Sequence, residues 1–166
     1  MVTQSHIPVL ATPYIQALCH DVDGCYVDAT FGRGGHSQMM LDKLSAQAHI
    51  LGLDRDPEAV VVGQEMAQQD RRFSMQHTDF AGIEEAVLQQ GWKQVDGIGF
   101  DLGVSSPQLD VAARGFSFMQ DGPLDMRMDF ESGKPLAKKL ERVSEAELID
   151  VIRNYGGERF AGRIAR

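Results

Sequence analysis

Along the first 110 residues, short apolar runs alternate with stretches whose apolar positions recur every three or four residues. That alternation predicts βαβ units around a parallel sheet. Val9, Leu10, Tyr14, Ile15 and Leu18 fall at helical spacing and predict an opening helix. Residues 25–29 read as a first strand that ends in the turn Gly32-Arg33-Gly34-Gly35. A helix over 36–44 follows, with Met40, Leu41 and Leu44 facing inward. Residues 50–54 predict a second strand. Asp56 is a good N-cap and Pro57 suits the first helical position, so Ala59, Val60 and Val62 carry the next helix. Residues 73–77 make a third strand, Ile83, Val87 and Leu88 a third crossover helix, and 95–100 a fourth strand that ends at Asp101.

Beyond that point the alternation fails. Residues 102–135 scatter Gly, Pro, Met and Phe with neither period, too long a stretch for an idle loop, so a functional segment or a domain boundary is expected. The capping box Ser144-x-x-Glu147 starts a helix over Leu148, Ile149 and Ile152 that stops at Gly156-Gly157. Phe160 and Ile164, four apart, mark a last amphipathic piece with neither cap nor stop signal before Arg166. Only half of a doubly wound sheet is legible, so a truncated chain is expected.

Composition narrows the picture. A chain of 166 residues with 43% hydrophobic and 24% charged side chains is expected to form one domain with an appendage and to hold its own core. No apolar run approaches the ~20 residues of a membrane span, and the start lacks a signal-peptide core, so no membrane association is expected. Cys19 and Cys25 lack metal-ligand spacing and read as reduced, structural thiols of a cytoplasmic protein. The charge is uneven: residues 1–110 hold 6 basic against 15 acidic side chains, and 111–166 hold 10 against 9. A whole-protein footprint for nucleic acid is therefore missing, and RNA contact is expected from a local cluster in the C-terminal third.

Three strand ends carry candidate chemistry. In Asp28-Ala-Thr-Phe-Gly32-Arg-Gly34 an acid precedes a G-x-G turn at a strand-to-helix junction, where glycine lets the backbone turn tightly and a ligand approach. The dinucleotide pattern is incomplete, because Ser37 stands where its third glycine would be. A ligand-free turn remains an equal reading. Asp54 closes strand 2 nineteen residues beyond Gly35, where Rossmann-like folds place an acid on ribose hydroxyls. The alternative is helix capping, but Asp56 fills that role better and leaves Asp54 free for a diol. Phe80 would stack on a purine beside Asp79, or pack in the core. Strand 4 ends in Asp101-Leu-Gly-Val-Ser105-Ser106-Pro107-Gln108, a rigid array suited to accepting hydrogens from an amino group, or simply a proline turn.

Longer strings point further. Val27-Asp-Ala-Thr-Phe-Gly-Arg-Gly-Gly-His36, Asp54-Arg-Asp-Pro57, Asp101-Leu-Gly-Val-Ser-Ser-Pro-Gln-Leu-Asp110, Arg114-Gly-Phe-Ser-Phe-Met119 and Asp121-Gly-Pro-Leu-Asp-Met-Arg-Met-Asp129 occur in order. They resemble the bacterial ribosomal RNA small-subunit methyltransferase H family, also called MraW, as do residues 156–166. The resemblance implies a Rossmann-like class I methyltransferase core with S-adenosylmethionine (SAM) as methyl donor. It also implies the N4 amino group of one cytidine in 16S rRNA of the small ribosomal subunit as acceptor. It places donor binding on Gly34, Gly35, His36, Asp54, Phe80, Asp101 and Gln108. It further implies a donor-binding core over 1–110 and, over 111–166, a motif loop with the start of an inserted helical domain whose remainder is missing.

In-line transfer from a sulfonium to nitrogen requires neither metal nor covalent nucleophile. Acceptors for the two N4 hydrogens favour the more nucleophilic, pyramidal amine, and Ser105, Ser106 and the Pro107 carbonyl are the catalytic candidates. The analogy is to the Ser-Pro-Pro loop of amino-methylating DNA enzymes, from which Gln108 departs. Methylation at C5 would need a cysteine nucleophile, and neither cysteine lies in a pocket motif. His36 is read as a contact to the methionine end of SAM, with a general base as the alternative. Phe116, Phe118, Met119, Met126 and Met128 with Arg114 and Arg127 form a lid or an RNA-stacking surface, or, by the favoured reading, dock the segment onto the core. Arg159, Arg163 and Arg166 either touch phosphate or form a solvated face. A homodimer, a nicotinamide-dependent oxidoreductase and a non-catalytic donor-binding half-domain stay open as alternatives.

Overall fold

Four strands run parallel in the order β3-β2-β1-β4, where β1 is Cys25–Asp28, β2 His49–Asp54, β3 Phe73–His77 and β4 Gly97–Gly99. The computed structural model describes residues 10–166, so Val9 of the expected opening helix lies outside the described residues. Parallel neighbours need crossovers. These are α2 (Gly35–Lys43), α3 (Pro57–Gln69) and α4 (Ile83–Gln89), with α1 (Ala11–Leu18) ahead of them. The first two crossovers carry the chain from β1 outward to β3, and the third returns it to the other side of β1. That reversal makes the carboxyl ends of β1 and β4 the switch point, where open α/β sheets bind their ligands.

Each face of the sheet has its own core. Tyr26 and Ile50 join Ile15, Met40, Leu41, Leu44 and Phe73 on one side. Val27, Leu51 and Leu53 join Ala29 and Ala86 on the other. Strand side chains alternate between faces, so β1 and β2 must be apolar at nearly every position to be covered on both. The α/β class and parallel topology expected from the spacing are both present.

Some boundaries move. Leu10 adopts a left-handed backbone just before α1 and is exposed; Ala11, Ile15 and Cys19, four apart, face inward instead. Leu88 is exposed, against expectation: α4 turns Ile83, Ala86 and Val87 toward the sheet, and Leu88 lies about 100° further round the helix. The fourth strand shortens to Gly97–Gly99 because its ladder with β1 spans only Tyr26↔Gly97 to Asp28↔Gly99.

Contacts divide the chain into two units, one reaching residue 106 together with 128–131, the other comprising 107–127 and 132–166. The irregular stretch contains a short helix, α5 (Ser106–Asp110), and a 3-10 turn over Ala112–Arg114. Helix α6 (Leu136–Leu140), which the pattern did not reveal, is tied to the preceding segment by Leu136 N–H to the Asp125 carbonyl and Ala137 N–H to Leu124, both at 2.8 Å. The Ser144–Glu147 capping box is formed in full at the start of α7 (Glu145–Asn154), and α8 (Ala161–Ala165) follows the glycine pair. Among the described residues no helix is long and apolar enough to cross a membrane.

Candidate donor-binding site

The loop after β1 is braced from β2. Gly32 donates its N–H to Asp54 Oδ2 at 2.8 Å, and Asp56 donates its own to Asp54 Oδ1 at 2.9 Å. Asp56 caps α3 through Glu58 N–H at 3.1 Å, as expected. The expectation that this leaves Asp54 free is corrected: each of its oxygens already takes one N–H. A carboxylate oxygen has a second lone pair, so each Asp54 oxygen keeps acceptor capacity beside the brace.

Gly34 is glycine for local reasons. Its φ of +77° is left-handed, and a Cβ there would stand 2.7 Å from both Phe31 Cζ and Met66 Cε. Backbone conformation and packing therefore demand glycine at this position, rather than the approach of a ligand. Gly35 opens α2 behind it, half-buried, and His36 follows.

Asp28 lies fully buried at the end of β1. Its Oδ2 accepts the Ser37 hydroxyl at 2.7 Å and its Oδ1 the Thr30 N–H at 3.3 Å. Burial pushes this carboxyl above the usual range, with the Ser37 and Thr30 hydrogen bonds and His36 working in the opposite direction. Ser37, the departure from the glycine fingerprint, is thus the partner that satisfies a buried acid. Thr30 Oγ1 also accepts the Asp101 N–H at 2.6 Å, which joins the ends of β1 and β4.

His36 is buried, with Nδ1 3.8 Å from Asp101 Oδ2 and its ring 4.3 Å from that of Tyr14. His36 Nε2 and the Tyr14 hydroxyl are buried without a hydrogen-bond partner among the described residues. Tyr14 was not among the residues singled out for the site, and Asp28 was noted only as the acid ahead of the glycine turn. An acid at a strand end was the available signal for Asp28, and a glycine inside a strand, Gly99, was the one for Tyr14.

At the end of β3, Thr78 N–H reaches the Asp54 carbonyl at 3.0 Å, and Asp79 caps the next turn through Ala81 N–H at 3.0 Å. Phe80 is half-exposed and meets Phe100 edge-on at 5.9 Å, so it is not a core residue. Gly34, Gly35, His36, Asp54, Phe80 and Asp101 therefore share the carboxyl end of one sheet. Ser105 and Ser106, both half-buried, continue from β4, whereas Pro107 and Gln108 fall in the second unit, where Gln108 is buried.

The second unit corrects one expectation, and in it Phe118 and Met119 are 91% and 83% exposed. Arg114 is buried and donates to the Arg127 carbonyl at 3.4 Å, so it offers no surface cation. Arg127 is engaged by Asp125 through two 2.8 Å bonds, which hold that carboxyl below its usual range. The Arg159 and Arg163 guanidiniums lie 4.6 and 5.9 Å from the Phe160 ring centre, and Arg166 Nε is 3.7 Å from Glu145.

Comparison with known proteins adds the family. The model of the MraW methylase family matches residues 3–166. Ribosomal RNA small subunit methyltransferase H of Acinetobacter baylyi is 51% identical over 163 residues, which is 98% of this chain and 54% of that protein. The protein of the same name from Nitrosococcus oceani is 49% identical, again over 98% of this chain and over 52% of its own length. The chain spans about half the length of the curated relatives it matches.

Proposed function

The chain belongs to the MraW methylase family, and on that premise we propose that it supplies the donor-binding part of a SAM-dependent methyltransferase. The acceptor in this reading is the N4 amino group of a cytidine in 16S rRNA of the small ribosomal subunit. One observation carries it: the glycine turn, His36, Asp54 and Asp101 converge at the carboxyl end of the sheet beside its switch point.

The residues present fit the donor. Asp54 keeps lone pairs for the two ribose hydroxyls, the half-exposed Phe80 ring offers a face to the adenine, and two buried polar atoms without a partner among the described residues, His36 Nε2 and Tyr14 Oη, suit a polar ligand group. When bound, SAM supplies a methyl group on a positive sulfur, which leaves as a neutral thioether. Cytosine N4 is a weak nucleophile because its lone pair is delocalised into the ring. Ser105 and Ser106 hydroxyls and the Pro107 carbonyl would hold its hydrogens and favour the pyramidal geometry. The target base must also leave its stack to be presented. A C5 route would need a thiolate, yet Cys19 is buried and Cys25 opens β1 at the far end of that strand, with burial pushing both thiols up.

Titration calorimetry with SAM, S-adenosylhomocysteine and NAD tests the donor assignment: heat with the first two supports it, and heat with NAD alone overturns it. Incubation with SAM and small subunits lacking the modification, followed by nucleoside mass spectrometry, tests the acceptor; N4-methylcytidine is the expected product. A second reading, a donor-binding part that is inactive by itself, draws on the chain's coverage of about half of its relatives. Tight donor binding without product would favour it.

A further inference from the structure

The Tyr14 hydroxyl and His36 Nε2 are two buried polar atoms on neighbouring rings, both without a partner among the described residues. Buried polar groups are normally paired, so a pair of orphans side by side marks a place where a ligand completes the bonding. Tyr14 reaches this place from α1. A Cβ built on Gly99 would fall inside its hydroxyl and 2.7 Å from its Cζ, so the phenol tip lies against the last residue of β4, at the switch point. Glycine at 99 is what makes room for it.

The surroundings decide what such a ligand group must be. Burial, and after it the negative charge of Asp28 and Asp101, holds the phenol protonated well above its ordinary range. Asp101 Oδ2 faces His36 Nδ1 at 3.8 Å, which favours the tautomer with its proton on Nδ1 and leaves Nε2 as an acceptor. The Tyr14 oxygen also has lone pairs to offer. Two acceptors in a negative field suit a cation that carries N–H donors, and they suit a carboxylate poorly.

Resting on the donor assignment above, we propose that Tyr14 is a specificity-determining residue, which pairs with His36 Nε2 to accept hydrogen bonds from the α-ammonium group at the amino-acid end of the methyl donor. Asp101 acts through His36 by fixing its tautomer. The adenosine end is left to Asp54 and Phe80, so the two ends of the donor are read by separate residues.

Tyr14→Phe removes only the hydroxyl. Wild type and variant are titrated with S-adenosylhomocysteine and with its desamino analogue, which lacks only the ammonium group. The variant should lose about tenfold in affinity for the former, the scale of one hydrogen bond to a charged group, and nothing for the latter. Equal losses for both ligands would make Tyr14 a structural residue and overturn the proposal, as would an unchanged affinity for S-adenosylhomocysteine. If the wild-type chain binds neither ligand, the donor site itself is wrong and the proposal falls with it. A measurement that needs no folded variant uses wild type labelled with ¹³Cζ-tyrosine, in which Tyr14 is one of three tyrosines. One resonance should move on adding S-adenosylhomocysteine and stay still with the desamino analogue; identical responses to both overturn the assignment.

Discussion

Gly32 donates its N–H to Asp54 Oδ2 across 2.8 Å, a bond that fastens the loop after β1 to the end of β2. The acid proposed to hold a ribose diol is therefore also the brace of the glycine turn, and under that proposal the two duties would reinforce each other. With the loop held, the Asp54 carboxylate and the start of α2 keep a fixed separation before any ligand arrives. Asp54→Ala should weaken S-adenosylhomocysteine binding by about 1–3 kcal/mol, roughly 5- to 150-fold, and should also lower the unfolding midpoint. Calorimetry and thermal unfolding on the same preparation check both halves. A folded variant with full affinity would remove Asp54 from the donor site.

Ser37 and Asp28 form the buried counterpart of that brace. Their 2.7 Å bond lies wholly inside the protein, so Ser37→Ala leaves a carboxyl without one of its partners. The expected loss is about 1–3 kcal/mol in denaturant unfolding with an unchanged m-value. A loss within about 0.5 kcal/mol, the range of ordinary surface substitutions, would show that Asp28 is satisfied without Ser37.

The same acid predicts a pH dependence. Burial raises Asp28 above its ordinary value, so the folded chain holds this proton more tightly than the unfolded one. Its contribution to stability is therefore greatest at low pH. It declines as pH rises from about 4, where an unfolded aspartate titrates, through the raised folded value. Asp28→Asn cannot ionise and escapes the decline. The unfolding midpoint of Asp28→Asn relative to wild type should accordingly shift in favour of the variant between pH 4 and pH 7. A difference that stays constant, or moves the other way, would mean that the folded state does not disfavour the carboxylate.

What was legible in the sequence is what short-range chemistry decides. Asp56-Pro57 starts a helix by filling backbone donors within its own first turn, and Ser144 with Glu147 does the same, so both are visible without the fold. The apolar spacing of β1 and β2 was visible because strands covered on both faces leave little room for polar residues. Long-range relationships stayed hidden. The bracing by Asp54 depends on a loop that comes from another strand, and the place of Tyr14 depends on α1 lying across the end of β4. Exposure of Leu88 turned on which face of a seven-residue helix met the sheet, and Ile83 and Val87 alone do not fix that for their neighbour.

Gly99 and Tyr14 offer a test of that last relationship which needs no ligand. Adding a methyl group at 99 places it inside the phenol hydroxyl, so Gly99→Ala must push the ring aside or shift β4. Overpacking of this kind costs about 1–3 kcal/mol. Removing the hydroxyl frees the space that the new methyl group needs most, although the ring carbon behind it, 2.7 Å away, remains crowded. Gly99→Ala should therefore destabilise the Tyr14→Phe background by clearly less than it destabilises wild type, with a coupling of at least about 0.5 kcal/mol in a double-mutant cycle of unfolding free energies. Strict additivity would mean that the hydroxyl does not lie over Gly99, and the approach of Tyr14 to the switch point would fail before any donor had been added.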